Sequence, residues 1–79
     1  MAYIIRVYYR SPITGEYNWR YICSMTVNHD TDDFVFYTVF DVKYAKQFYS
    51  MRGARKIANR ILTRKRYYAK VERLQVIKV

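Results

Sequence analysis

The chain has 79 residues, a single cysteine, ten tyrosines and a formal net charge of +9. A domain this short, 1–79, buries only roughly 60% of its unfolded surface, and its composition of 52% apolar and 19% aromatic residues excludes the low-hydrophobicity signature of disorder. Cys23 alone closes no intramolecular disulfide and no cysteine-based zinc cage, no apolar run approaches the ~18 residues of a membrane span, and the N-terminus lacks a signal-peptide pattern. A cytoplasmic protein with no membrane partner is the expectation.

In chain order, residues 2–10 alternate, with Tyr3, Ile5, Val7 and Tyr9 on one face and Ile4, Arg6, Tyr8 and Arg10 on the other, which predicts a strand. The stretch 11–16 holds the only Pro and one of the two Gly, so a hairpin is expected. The return strand, 17–27, places Tyr17, Trp19, Tyr21, Cys23, Met25 and Val27 together, opposite Asn18, Arg20, Ile22, Ser24 and Thr26. The expectation is that the Tyr9 and Tyr17 faces meet and supply most of the core. Arg6, Tyr8, Arg10, Asn18 and Arg20 then share the wet side.

Residues 28–33 form a polar, acidic turn. Residues 34–40, apolar except Thr38, read as a third strand. Asp41 is placed to cap about two helical turns over 42–49, with Ala45 and Phe48 inward, and Ser50 to cap a longer helix. Over 50–66, Ala54, Ile57, Ala58, Ile61 and Leu62 recur at helical spacing and form an apolar stripe. Arg52, Arg55, Lys56, Asn59, Arg60 and Thr63 fall largely on the opposite side, followed by Arg64, Lys65 and Arg66. Gly53, costly inside a helix, implies a close backbone contact. Residues 69–79 read as a last strand whose phase breaks near Glu72 and Arg73, implying a bulge. The fold class is therefore α+β, ordered β-β-β-α-α-β: an antiparallel sheet of about four strands with one short and one long amphipathic helix on one face.

Enzymatic constellations are scarce. His29 with Asp30, Asp32 and Asp33 lacks the ligand spacing and Gly turn of a calcium loop, and no Gly-rich phosphate cradle is present. No catalytic residue, metal or cofactor is expected. Charge is the stronger signal. Residues 1–40 sum to −1 and residues 41–79 to +10, a segregation that builds a local field for polyanions.

The basic helix residues Arg52, Arg55, Lys56, Asn59, Arg60, Thr63, Arg64, Lys65 and Arg66 are the first candidate contact surface, since such a row neutralises phosphates while Asn and Thr can meet base edges. A solvated helix exterior has the same composition. Arg6, Tyr8, Arg10 and Arg20 on the sheet form a second candidate, a mixture able to stack bases and neutralise phosphates.

Two resemblances bear on these candidates. The run IIRVYYRSPITGEY, followed by a third strand and a helix, resembles the arm-binding N-terminal domain of phage-type tyrosine recombinases, which implies that Arg6, Tyr8, Arg10 and Arg20 read DNA from the sheet while the helix supports it. From residue 41 onward, Ala45, Phe48, Ala54 and Ala58 resemble the A-x-x-F and A-x-x-x-A helices of small phage or prophage accessory proteins, including host-takeover proteins and anti-CRISPR inhibitors of bacterial defence. This implies a non-enzymatic binder in a host cytoplasm. Nucleic acid, DNA or RNA, or a nucleoprotein complex is the first expected partner, and an acidic host or defence protein the second. A homodimer through a free strand edge is compatible with either.

Overall fold

The computed structural model describes residues 1–28, 30, 33–64 and 71–79. They form β1 (Tyr3–Arg10), β2 (Tyr17–Asn28), β3 (Asp33–Val39), a 3-10 turn (Val42–Tyr44), one α-helix, α1 (Met51–Thr63), and β4 (Val71–Lys78). The strands make one antiparallel sheet in the order β3-β2-β1-β4, so the chain closes by laying its last strand against its first. The small α+β domain and its four-stranded antiparallel sheet agree with the sequence reading.

The core lies between α1 and one face of the sheet. Ile5, Val7, Ile22, Ala54 and Ile61 are its buried centre, and Tyr3, Tyr9, Met25, Phe36, Phe48, Ile57, Val71, Leu74 and Val76 pack around them. Small Ala54 and Ala58 on the apolar stripe let the helix backbone approach β1 and β4 closely. Leu62, expected inward, is 41% exposed at the margin of that stripe. The molecule measures 35 × 32 × 17 Å between Cα extremes, and the short dimension accommodates one sheet and one helix layer at a spacing near 10 Å.

The expected helix over 42–49 is not formed. Asp41 does cap, accepting from the Lys43 N–H at 3.0 Å, but only the one 3-10 turn follows. The Lys46 N–H then donates to the Ile22 carbonyl (2.8 Å), and Phe48 and Tyr3 exchange both backbone bonds at 2.7 Å. Pairing of β1 with β2 runs from Arg10 only as far as Arg6, opposite Tyr21. Beyond it, residues 46–48 supply the sheet-side partners that the two diverging strands lack. An α-helix there would have directed those N–H groups inward along its own axis and left the strands unpaired. Among the described residues the order is thus β-β-β-α-β, with one α-helix.

Two bulges adjust the side-chain phase. Glu72 is the extra residue between Arg73, opposite Tyr8, and Val71, opposite Tyr9, as the broken alternation predicts. The second, between Ile22 and Ser24 in the pairing with β3, leaves Cys23 unpaired and half-buried, its thiol 3.3 Å from the Tyr37 carbonyl. It lets Ile22 and Met25, three residues apart, both face the core.

Candidate nucleic-acid interface

The register of β1 against its neighbours sorts the sheet residues into two sides. Val7, Tyr9, Asn18 and Arg20 belong with Leu74, Val71 and the helix-facing core. The other side carries Arg10 opposite Tyr17, Tyr8 between Trp19 and Arg73, Arg6 between Tyr21 and Gln75, and Ile4 opposite Ile77. Among the described residues no helix covers this second side. At one end Ile4 is nevertheless buried, at 3% exposure. At the other, the side is open around Arg10 and Tyr17.

An ordered array of rings and guanidinium groups stands there. Tyr8 stacks on Tyr17, with ring centroids 5.3 Å apart and planes inclined by 19°, and meets Trp19 at 5.1 Å and 46°. The Arg6 guanidinium lies 4.2 Å from the Trp19 ring centroid, and Arg73 caps Tyr8 at 5.9 Å. Arg6 Nε and Nη2 both donate to Gln75 Oε1, the first at 2.8 Å, which fixes the guanidinium plane. Cross-strand aromatic and cation–π pairs of this kind are each worth about 0.5–1.5 kcal/mol. Over positions 4–10, 17–21 and 73–77 the open side holds three arginines and no acid.

This arrangement corrects one expected grouping. Asn18 and Arg20 do not join Arg6, Tyr8 and Arg10; they lie on the helix side, while Tyr17, Trp19 and Tyr21, expected in the core, take the open side. The cause is the loop 11–16. Ser11 N–H bonds to the Glu16 carbonyl (2.8 Å), Gly15 adopts φ 74°, and Arg10 pairs directly with Tyr17. A connection of that parity sets even positions of β1 beside odd positions of β2, and a one-residue change of register exchanges the two faces. Arg20 is clamped between Phe40 (4.4 Å) and Tyr9 (5.5 Å) beside a cleft of about 340 Å³, and its buried Nε has no hydrogen-bond partner among the described residues.

The helix row faces the opposite direction, across the 17 Å thickness of the domain. Arg52, Arg55, Lys56 and Asn59 are exposed; Arg60 and Arg64 are half-buried, and the Thr63 hydroxyl donates to the Arg60 carbonyl at 3.2 Å. Ser50 Oγ caps the helix by accepting from Gly53 N–H at 2.8 Å, and a Cβ on Gly53 would stand 3.3 Å from that side-chain oxygen; the close neighbour is the cap itself and not the backbone contact expected from the sequence. Lys65 and Arg66, with His29 and Asp32 of the polar turn, lie outside the described residues. Asp33 begins β3, at the sheet edge opposite β4, whereas α1 packs on β1 and β4.

No group of three or more His, Cys, Asp or Glu placed to hold a metal ion occurs among the described residues, and none of their helices is long and apolar enough to cross a membrane. Sequence reasoning did not assign Tyr17, Trp19, Arg73 and Gln75 to the candidate surface. The parity of the hairpin loop is the signal that locates the first two; Arg73 and Gln75 follow from pairing β4 beside β1, with the bulge at Glu72 setting their phase. In comparisons with known proteins, no family model, no curated protein and no solved structure matches the chain.

Proposed function

We propose that this protein is a non-enzymatic nucleic-acid-binding domain whose contact surface is the open side of the sheet. The observation that carries the reading is the Arg73–Tyr8–Tyr17 and Arg6–Trp19 array, which joins rings to cations at strand positions (4–10, 17–21 and 73–77) that include no acid. Structural pairing alone accounts for rings that touch one another. It does not call for three arginines on the same side with no carboxylate to match, whereas phosphates do. In this reading Arg10 and Arg73, both exposed, neutralise phosphates, Arg6 is held in place by Gln75, and α1 braces the sheet while its cations add to the long-range field.

The test is a comparison of two charge-removal variants, Arg10→Ser with Arg73→Ser on the sheet and Arg52→Ser with Arg55→Ser and Lys56→Ser on the helix, by fluorescence anisotropy across a salt series. The sheet variant is expected to lose affinity by tenfold or more and to flatten the salt dependence, since each lost phosphate contact removes a slope of about 0.7–0.9. Loss confined to the helix variant would transfer the function to α1.

The exposed row Arg52, Arg55 and Lys56 favours a second reading, an inhibitor docked on an acidic host or defence protein of the kind phages target. Recovery from a bacterial lysate after nuclease treatment separates the two. A protein contact survives the treatment, and one mediated by nucleic acid does not.

A further inference from the structure

We infer that the open side takes single-stranded nucleic acid, with an unpaired base stacking on Tyr17 at the outer end of the ring array, rather than duplex. This inference rests on the proposed sheet-face reading and narrows it to a class of ligand. Three observations lead to it.

The first is the nature of the groups presented. Tyr17 is 39% exposed at the outer end of the ring stack, with one face against Tyr8 and Arg10 as its cross-strand neighbour. Rings offer π-faces, and a base can meet a π-face only when its own face is not already covered by the base above or below it. In duplex DNA the faces are buried in the helix stack and only the edges show in the grooves. Edge readout uses forked or amide side chains aimed outward. Here the one amide directly across from an arginine on this side, Gln75, is turned to Arg6, and Arg6 is turned to both Gln75 and Trp19.

The second is width. The B-form major groove is about 12 Å across and admits a helix or a two-stranded ribbon. Three strands separated by about 4.8 Å span roughly 10 Å between the outer strand axes alone, before any side chain is counted. The ring array sits on β1 and β2 with β4 beside β1 at Tyr8, whereas β3 pairs with β2 only from Tyr21 onward; the row Trp19–Tyr8–Arg73 is therefore three strands wide, one more than the two-stranded ribbon a groove admits. A flexible single strand has no groove to fit and can lie across such a surface.

The third is the pattern of charge. Arg10 lies two residues along β1 from Tyr8 and directly across from Tyr17, and Arg73 lies beside Tyr8 on β4. Cations beside a stacking platform, rather than in one dense row, match a backbone that passes alongside the stacked base. The occupant is therefore chosen by both chemistries at once: an anionic chain that also carries planar, unpaired rings.

Trp19, the only tryptophan in the chain, lies within this array and reports on it directly. The experiment titrates the whole chain at low ionic strength with single-stranded DNA and single-stranded RNA of about 12 nucleotides, a length within the usual single-strand site size. A duplex of the same sequence and inorganic polyphosphate are the controls. Emission of Trp19 and anisotropy of a labelled strand are followed together. Saturable quenching by either single strand, duplex bound at least about tenfold more weakly, and no quenching by polyphosphate is the expected result. Tyr17→Leu, at an exposed position, should then reduce single-strand affinity by about 5- to 100-fold while leaving polyphosphate binding unchanged.

Duplex bound as tightly as single strands, or quenching reproduced by polyphosphate, overturns the inference while the sheet-face reading stands. Absence of binding by every nucleic acid overturns both. Binding without any change at Trp19, abolished by the helix variant, shows that the reading itself, and with it this inference, is misplaced.

Discussion

The Arg6 guanidinium and the Trp19 ring are in face contact, 4.2 Å from carbon to centroid, on the side of the sheet away from α1. Gln75 holds the same guanidinium from β4, so one arginine ties together three neighbouring strands. Replacing Arg6 by Ala is expected to lower stability by about 1–2 kcal/mol, from the lost cation–π contact and hydrogen bonds. Chemical denaturation measures this, and Gln75→Ala should show a smaller loss because the contact to Trp19 remains.

Arg20 provides the opposite case. It lies on the helix side between Phe40 and Tyr9, and its Nε has no hydrogen-bond partner among the described residues, so Arg20→Met keeps the aliphatic packing and removes a buried donor. Stability within about 1 kcal/mol of the parent and nucleic-acid affinity within about twofold are expected. A tenfold loss of affinity in this variant would place Arg20 in the contact surface and contradict the register.

Much of the fold was legible from side-chain spacing, and the parts that were not have identifiable physical reasons. The alternation of β1, the stripe of Ala54, Ala58 and Ile61, the caps Asp41 and Ser50, and the bulge at Glu72 are all local patterns, and each is present. What spacing within one strand does not encode is the parity of the connection to the next. Trp19 and Tyr21 looked like core because they are large and apolar, and Arg20 looked like surface because it is charged. The hairpin register reversed both, and the bulge at Cys23 then returned Met25 to the core. The missing second helix has a tertiary cause: Lys46 and Phe48 bond to Ile22 and Tyr3 because the sheet splays there.

The core tolerates little loss. Ile5 and Ile61 are essentially inaccessible to solvent, and both belong to the buried cluster between α1 and the sheet. Each truncation to Ala is expected to cost about 2–5 kcal/mol, a large share of the roughly 4–12 kcal/mol available to a domain of this length. Urea denaturation should show a lowered midpoint for both, with the slope unchanged.

Backbone geometry at two positions yields a paired prediction. Gly15 sits at φ 74°, so Gly15→Ala forces a left-handed conformation that costs about 1–2 kcal/mol, and it loosens the loop that sets the β1–β2 register. Ser50→Ala removes the acceptor for Gly53 N–H at the start of α1 and is expected to cost about 1 kcal/mol. Thermal denaturation monitored by circular dichroism compares them. Only the first should also disturb the near-ultraviolet signal of Trp19.

The most direct test of the central claim is a two-dimensional ¹H–¹⁵N spectrum of the domain titrated with a single-stranded oligonucleotide. The Trp19 indole N–H and the Arg6, Arg10 and Arg73 side-chain N–H signals are expected to shift first and furthest, with the amides of Arg52, Arg55, Lys56 and Asn59 nearly still. Shifts concentrated on those four helix residues, with the Trp19 indole unmoved, would contradict that claim.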